Sequence, residues 1–511
     1  MGTSGLTGRA LTGLSWNYVG TLGRIAATFL SQILLARLLG PEQFGLFGYA
    51  FLTVTVLALV VEMGLQMALV QVPQLRDEDI ARAFGRLLLA GAVAASMVVL
   101  FADGIATYVF AVPQAADVIR AMAPTLVVGA VTAVATALLS RDIEFKVIQL
   151  AGLGSYVVGY LIVGVGAAMA GLGVWSLVLA WHVQTISACV VMVYFAPRVQ
   201  LPGNPFRPLG IARFGSVIMV TNMINWLIDN SPHVAIGRWL GPSQLGQYTI
   251  ANNLVRVPAD HLVRNLQTVL FPLAARAQNN DEGVRRAYLT VLAGVALVAL
   301  PTFTFIAIAS QTIVLLLLGA KWAIAADVLV PLSMAMIGHA VEALCGPVLG
   351  GRGEPKLELK VKTATLLVMA AALAVTATWS LVAVGWSVAS VYLFRWVWMN
   401  AAVMNRLAIS SLTILRVLVG PLVLAGVCAV VAGSVIAYVA SVPPLATPLW
   451  MFLITAACAF IAVVLTVEII PAIVLGPHLL ALLNIMVARR PGIGRVPGLR
   501  RVVAIAARMA V

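Results

Sequence analysis

The chain has 511 residues, of which 62% are hydrophobic and 10% charged, with mean hydropathy +1.03. A water-soluble protein carries roughly a quarter charged residues, so this balance describes a polytopic integral membrane protein. The net charge of +14 does not mark a nucleic-acid binder, because the cations lie between apolar blocks instead of gathering on one face.

Met1–Thr12 is short and nearly neutral, and no small-residue cleavage site follows an isolated apolar core. Residues 14–38 therefore read as a first span that is retained, not a removed signal peptide. A helix crossing a hydrocarbon core of about 30 Å needs about 20 apolar residues. Cutting at charges and Pro/Gly punctuation gives further blocks at 44–70, 83–111, 118–140, 147–170 and 171–196. Six more follow at 211–237, 243–271, 287–318, 323–350, 360–383 and 385–407, and a last pair at 412–440 and 446–474. The expectation is an all-α protein with fourteen transmembrane helices: six in 1–209, six in 210–410, two in 411–474, and a basic tail over 475–511. Within the tail, Leu499–Val511 has the make-up of either a short basic amphipathic helix on an anionic leaflet or a disordered end. No connection is long enough to fold as a separate domain.

With the N-terminus inside, 24 of the 32 Lys and Arg fall in cytoplasmic segments; Arg37, Arg120, Arg238 and Lys321 fall in the opposite loops. The positive-inside rule then places both termini in the cytoplasm. Trp175, Trp239, Trp322, Trp386 and Trp450 fall at the predicted outer ends, where an interfacial aromatic belt belongs. Cys189, Cys345, Cys428 and Cys458 lie inside apolar blocks without CxxC or metal-ligand spacing, which suits small core filler. No metal or cofactor is expected.

The sequence repeats itself. Arg37-Leu38-Leu39-Gly40-Pro41-Glu42-Gln43-Phe44-Gly45 recurs, 201 residues on, as Arg238-Trp239-Leu240-Gly241-Pro242-Ser243-Gln244-Leu245-Gly246. Gly-Pro between two spans is a turn in which Pro opens the next helix. Ala115-Ala116-Asp117-Val118 recurs as Ala325-Ala326-Asp327-Val328, offset by 210 and ahead of the fourth span of each half. Both halves hold six spans, an even number, so they run the same way through the membrane. That is a parallel repeat about the membrane normal, with the working site expected between the halves.

Three spans carry polar stripes. Asn17, Thr21, Arg24, Thr28 and Ser31 recur at helical steps in the first, and Asn222, Asn225, Asp229 and His233 in the seventh. The repeat offset aligns Thr21 with Asn222, Arg24 with Asn225 and Thr28 with Asp229. The eighth adds Asn253, Arg256, Asp260, Arg264 and Gln267. A charge at bilayer depth normally faces a cavity or a partner, so a shared central cavity is the economical reading. Polar groups that merely hold helices together are the alternative. Arg256 paired to Asp260 is another, and Arg264, nearer the cytoplasmic face, can snorkel. Other intramembrane ionisable groups are Glu62, His339, Glu342, Arg395 and Glu468. Glu62, Asp229, Asp260 and Glu342 are candidates for a coupling cation or proton, with a buried neutral carboxyl as the rival reading. His339 reads as a core histidine. No phosphate loop, HExxH or GxSxG occurs, which argues for moving a substrate rather than converting it.

The doubled Leu-Gly-Pro-x-Gln-x-Gly turn, the run Glu62-Met-Gly-Leu-Gln-Met-Ala-Leu-Val-Gln71 and the run from Asp229 through Ile236–Tyr248 to Pro258 and Phe271-Pro272 resemble the bacterial polysaccharide transporter family. That family, with the Wzx-type O-antigen and exopolysaccharide flippases, sits in the multidrug/oligosaccharidyl-lipid/polysaccharide superfamily. The resemblance covers about residues 10–475. It implies two pseudo-symmetric six-helix lobes in a V plus two extra helices, in the bacterial inner membrane. It also implies transport of an undecaprenyl-pyrophosphate-linked oligosaccharide, with membrane lipids and the polysaccharide polymerase and chain-length machinery as partners. Basic cavity residues of such flippases meet the pyrophosphate; Arg24 and Arg256 match them here. A cation-coupled drug exporter and a peptidoglycan-precursor flippase belong to the same superfamily and stay as alternatives, as does a non-transporting scaffold for glycan assembly.

Overall fold

Proline and short acidic or hydroxyl residues start many of the helices. Pro41, Pro448 and Pro471 each stand first in a helix, where the missing N–H is not needed. Asp77, Glu78, Asp79, Asp281 and Glu282 occupy first turns, where the helix dipole favours negative charge. Ser380 and Ser410 cap their helices by accepting from the Ala383 and Thr413 amides at 3.1 and 3.2 Å.

The computed structural model describes residues 23–489 except 63, 73, 197–198, 208–214, 277–280 and 352–354. Side chains at 67, 215–221, 263–276, 351, 355–356 and 484–489 are also outside it. The first half runs α1 (residues 23–38), α2 (Pro41–Glu62), α3 (Leu65–Gln71), α4 (Asp77–Gly104), α5 (Ala116–Met122), α6 (Thr125–Arg141), α7 (Phe145–Tyr156), α8 (Val165–Met169) and α9 (Val174–Phe195). It continues through α10 (Gly215–Trp239), α11 (Gly241–Arg276), α12 (Asp281–Ile308), α13 (Ser310–Leu317), α14 (Ala323–Glu342), α15 (Cys345–Gly351), α16 (Pro355–Thr376) and α17 (Leu381–Leu407). The described residues close with α18 (Ser411–Ala440), α19 (Pro448–Ile469) and α20 (Pro471–Arg489). Among the described residues, eleven helical segments are long and apolar enough to cross a membrane.

Contacts divide the chain into two compact units, Met1–Thr249 and Ile250–Val511. In the first, α6 packs on α4 and α9, while α2 packs on α5 and α10. In the second, α14 packs on α12 and α17, and α18 joins α12 to α19. The segment expected as tail begins with α20, which packs on α12 and α18 and buries Leu480. The remainder of that tail, including 499–511, lies outside the described residues, as do Asn17 and Thr21.

The repeated turn has a packing reason. A Cβ on Gly45 would overlap the Pro242 carbonyl oxygen, and a Cβ on Gly246 would overlap the Pro41 carbonyl oxygen. Each copy of the turn thus lays its glycine on the proline of the other, within the first unit. Glycine is required because the two backbones touch. Tyr49, fully buried, ties the same junction by donating to the Gly237 carbonyl at 2.9 Å.

The shorter match is also structural. Ala115, Ala116 and Val118 are buried with Asp117 exposed, and Ala325, Ala326 and Val328 are buried with Asp327 exposed; a 3₁₀ turn runs into the first at Pro113–Ala115 and precedes the second at Ala320–Trp322. A third match emerges in α9 and α17: Trp175-Ser176 aligns with Trp386-Ser387, 211 residues apart, with both tryptophans exposed and both serines buried. One belt residue departs from expectation. Trp175, Trp239, Trp386 and Trp450 are 43–55% exposed, but Trp322 is fully buried, because the turn at Gly319 folds it under the start of α14. Trp322 is core, not belt.

Several spans are interrupted. Glu62 ends α2, and Gly64, at φ +69°, breaks the helix before α3. Arg141 then closes the far end of α3, donating to the carbonyls of Leu69, Val70 and Val72 at 3.1, 3.2 and 2.6 Å. Glu342 likewise ends α14 ahead of a turn into α15. Broken helices in membranes survive where protein re-satisfies the freed backbone, and they often mark ligand sites.

Candidate functional site

In the first unit the site candidates lie along α1 and α10. Arg24 is exposed, and among the described residues no carboxylate pairs with it. Its guanidinium lies beside α7 where Gly152 has no side chain; a Cβ there would stand 3.4 Å from Nη1. One turn on, Thr28 is half-buried and accepts at its carbonyl from the Ser31 hydroxyl at 3.0 Å. Ser31 also shares a 2.9 Å hydrogen bond with Tyr156, whose ring stacks on Tyr160 at 4.8 Å. The α1 stripe therefore faces α7 along at least Arg24 and Ser31. On α10, Asn222 is exposed, while Asn225 and Asp229 are half-buried. Glu62, also half-buried, sits at the α2 break.

The second unit joins groups that the sequence left separate. Arg256 and Asp260, one turn apart on α11, approach to 3.8 Å. Asp260 Oδ1 is 3.2 Å from Nε2 of His339 on α14. His339 Nδ1 is 3.3 Å from Nη2 of Arg395 on α17, and the same Nη2 donates to Glu342 Oε2 at 2.6 Å. Arg395 also lies over the Tyr392 ring, 4.8 Å from its centroid, a cation–π arrangement. Beside this chain the buried Tyr288 hydroxyl of α12 donates to Asn400 Oδ1 at 3.0 Å. Glu342 and Arg395 side chains are each 8% exposed, so this pair is desolvated, whereas Arg256 and Asp260 keep 20% and 24%. The sequence named all five residues but not which of them meet. The Trp-Ser match of α9 and α17 is the signal that sets α17 in register with the rest. Asn253 is half-buried on α11, and the Arg264 side chain lies outside the described residues.

Grooves of about 580 and 470 Å³ run along α17 and α18, both lined by Trp396, Leu415 and Leu418. Their walls are almost wholly apolar. Among the described residues no cluster of His, Cys, Asp and Glu is set to hold a metal ion.

The helix order and packing define a fold that solved transporters share. The structure superposes on the lipid II flippase MurJ in an inward closed conformation with TM-score 0.71 and 10% identity, over 90% of this chain and 98% of that one. An inward-facing multidrug resistance MATE family transporter of the MOP superfamily follows at TM-score 0.58 and 15% identity, over 76% and 99%. These likenesses establish a polytopic helical fold of the multidrug/oligosaccharidyl-lipid/polysaccharide type. The chain belongs to the family described as polysaccharide biosynthesis protein, which it matches over residues 34–327. It is 28% identical over 319 residues to the succinoglycan biosynthesis transport protein ExoT of Rhizobium meliloti, covering 62% of this chain and 64% of that protein. It is 24% identical over 317 residues to the lipopolysaccharide biosynthesis protein WzxC of Escherichia coli, covering 61% and 64%. The matched region thus spans somewhat under two thirds of each relative.

Proposed function

We propose that this chain is a transporter, not an enzyme, and that it moves a polyprenyl-diphosphate-linked oligosaccharide across the bacterial cytoplasmic membrane for surface polysaccharide assembly. The relatives named for succinoglycan transport and lipopolysaccharide biosynthesis support the substrate class. The observation that carries the reading is Arg24: an in-span guanidinium, exposed, on a polar face, with no described carboxylate to neutralise it. A charge so placed costs a few kcal/mol unless it meets water or an anion. Arginine suits a diphosphate because its planar fork stays charged and donates two hydrogen bonds at once.

In this reading residues 1–209 and 210–410 form the two six-helix lobes, with fourteen spans in all and both termini cytoplasmic. Arg24, Thr28, Asn222 and Asn225, with Asn17 and Thr21, and in the second unit Asn253, Arg256 and Arg264, are the groups that receive sugar and diphosphate. Rocking of the lobes exposes these groups to one side and then the other. Glu62, Asp229, Asp260 and Glu342 are the candidate coupling groups. The apolar grooves along α17 and α18 receive the prenyl chain in this reading, which keeps the tail out of water while the head crosses. The likeness to the lipid II flippase favours one second reading, a peptidoglycan precursor as cargo.

The test is complementation of a strain lacking its polysaccharide flippase. The wild-type chain should restore surface polysaccharide, and Arg24→Ala and Arg256→Ala should each lower it severely at equal membrane abundance. Full restoration by both variants would overturn the diphosphate assignment. Rescue of a strain depleted of its lipid II flippase would favour the second reading.

A further inference from the structure

The span Phe145–Met169 changes its winding halfway along. It begins as α7, passes through a π-helical stretch, Val157–Gly164, and ends as α8. The reason lies against α9. A Cβ on Gly159 would stand 2.6 Å from the Ala180 carbonyl oxygen, and one on Gly164 would stand 2.9 Å from the Ala180 Cβ. The two glycines are five residues apart, one π turn, so the wider winding lays both on the same residue of α9. Stretches of this kind are rare in helices and gather at functional sites.

The same winding aligns a second set of residues toward α1. Gly152, Tyr156 and Tyr160 follow one another at steps of four. An α-helical step of four overshoots a full turn by about 40°, which carries Tyr156 past Gly152. The step from Tyr156 to Tyr160 falls short of the wider π turn and brings Tyr160 back into line. On this side Gly152 leaves room for the Arg24 guanidinium, and Tyr156 meets Ser31 at 2.9 Å. The two tyrosine rings lie 17° from parallel with centroids 4.8 Å apart. They stand twelfth and sixteenth in a span of 25 residues, at a depth where a phenol needs a partner for its hydroxyl. Tyr156 has one in Ser31, and among the described residues Tyr160 has none. Both rings are half-buried, so neither is closed off as core.

We propose that Tyr156 and Tyr160 form the platform on which the carrier recognises sugar: a pyranose ring lies against the tyrosine pair while Arg24 holds the diphosphate. The assignment rests on the function proposed above and names the part of the cargo that this face takes. A pyranose has C–H groups on its faces and hydroxyls round its edge. Aromatic rings match the first, and the open Tyr160 hydroxyl matches the second. Gly152 and Tyr156 are one turn apart, about 6 Å along the axis, so a sugar on the tyrosines adjoins a phosphate on Arg24. That is the position of the first sugar in a diphosphate-linked chain. A prenyl tail in its place would leave the Tyr160 hydroxyl dry and unpaired, a cost that the apolar walls along α17 and α18 do not impose.

The test is binding of two probes by the full chain in nanodiscs. One is a bare polyprenyl diphosphate, and the other is the same lipid bearing one glucose, galactose or N-acetylglucosamine, taken in turn. Wild type should bind at least one sugar-bearing probe about tenfold tighter than the bare one. Tyr156→Leu and Tyr160→Leu should lose that preference while holding the bare probe within about twofold of wild type. Tyr160→Phe, which keeps the ring and its packing, should lose about fivefold in sugar-bearing probe alone. A sugar preference unchanged in the Tyr160 variants overturns the proposal, as does equal loss of both probes in all three variants. Wild type that binds bare and sugar-bearing lipid alike overturns the platform and leaves the diphosphate reading standing. Arg24→Ala should weaken both probes together; if it binds both as wild type does, the phosphate assignment fails while the tyrosines are judged by their own variants. Wild type that binds neither probe overturns both readings.

Discussion

Thr55, Leu59, Gly129, Thr132 and Gln184 of the first half correspond, through offsets of 201, 210 and 211, to Arg256, Asp260, His339, Glu342 and Arg395 of the second. Around these positions the burial patterns match, as at 115–118 and 325–328 and at the Trp-Ser pairs. The apolar register is thus shared, and the charges are not. In the first half the hydroxyls of Thr55 and Thr132 both bond to the carbonyl four residues back, at 2.8 Å, and need nothing from another helix. In the second, the equivalent side chains tie α11, α14 and α17 together. The first half keeps Arg24 exposed with no described carboxylate paired to it, and the second links its charged side chains across three helices in the same frame.

Four experiments would break or sharpen that contrast. The largest effect belongs to Glu342→Ala, which leaves Arg395 buried with its main anion gone: a loss of about 3–5 kcal/mol, read by thermal or denaturant unfolding in detergent. Thr132→Val, its first-half equivalent, should shift stability by less than about 0.5 kcal/mol. Next, Gly45→Ala and Gly246→Ala should each cost about 1–3 kcal/mol, and by similar amounts, because each glycine abuts the other copy's proline carbonyl. Gly129→Ala is the control, since a Cβ there meets nothing within 4 Å, and it should be neutral or slightly stabilising.

The third separates the two arginines. Arg256→Ala should lower both transport and stability, the latter by about 1–3 kcal/mol, because Asp260 loses a charged neighbour. Arg24→Ala should abolish transport yet leave stability within about 0.5 kcal/mol. Equal stability losses in the two would show that Arg24 is held by a partner after all. The smallest effect is expected from Asp117→Asn: the Arg120–Asp117 pair at 2.8 Å is exposed, and its loss should cost under about 1 kcal/mol, as Arg120 keeps Asp103.

Much of the fold was legible because hydrocarbon permits so little else. Apolar runs of span length, Gly-Pro punctuation and the doubled turn predict where α2, α11 and their neighbours begin. The reason for Gly45 and Gly246 was not legible, since a close backbone approach leaves only a glycine in the sequence, and glycines are common in spans. Trp322 misled because a tryptophan near a span end looks the same whether its turn points outward or, as at Gly319, folds inward. Among site residues, the steps from Arg24 to Ser31 and from Arg256 to Asp260 follow helical period and could be read directly. The meeting of Asp260, His339 and Arg395 could not, because it depends on three helices whose relative rotation is set by packing. The charges announced that partners existed without saying which.

The claim that a lipid-linked sugar is the cargo has one most direct measurement: purified chain reconstituted in liposomes bearing a fluorescent polyprenyl diphospho-oligosaccharide in one leaflet. Wild-type protein should equilibrate the label between leaflets well above protein-free vesicles, and Arg24→Ala should fall to background. Vesicles holding folded wild-type chain that move no label faster than empty ones would contradict it.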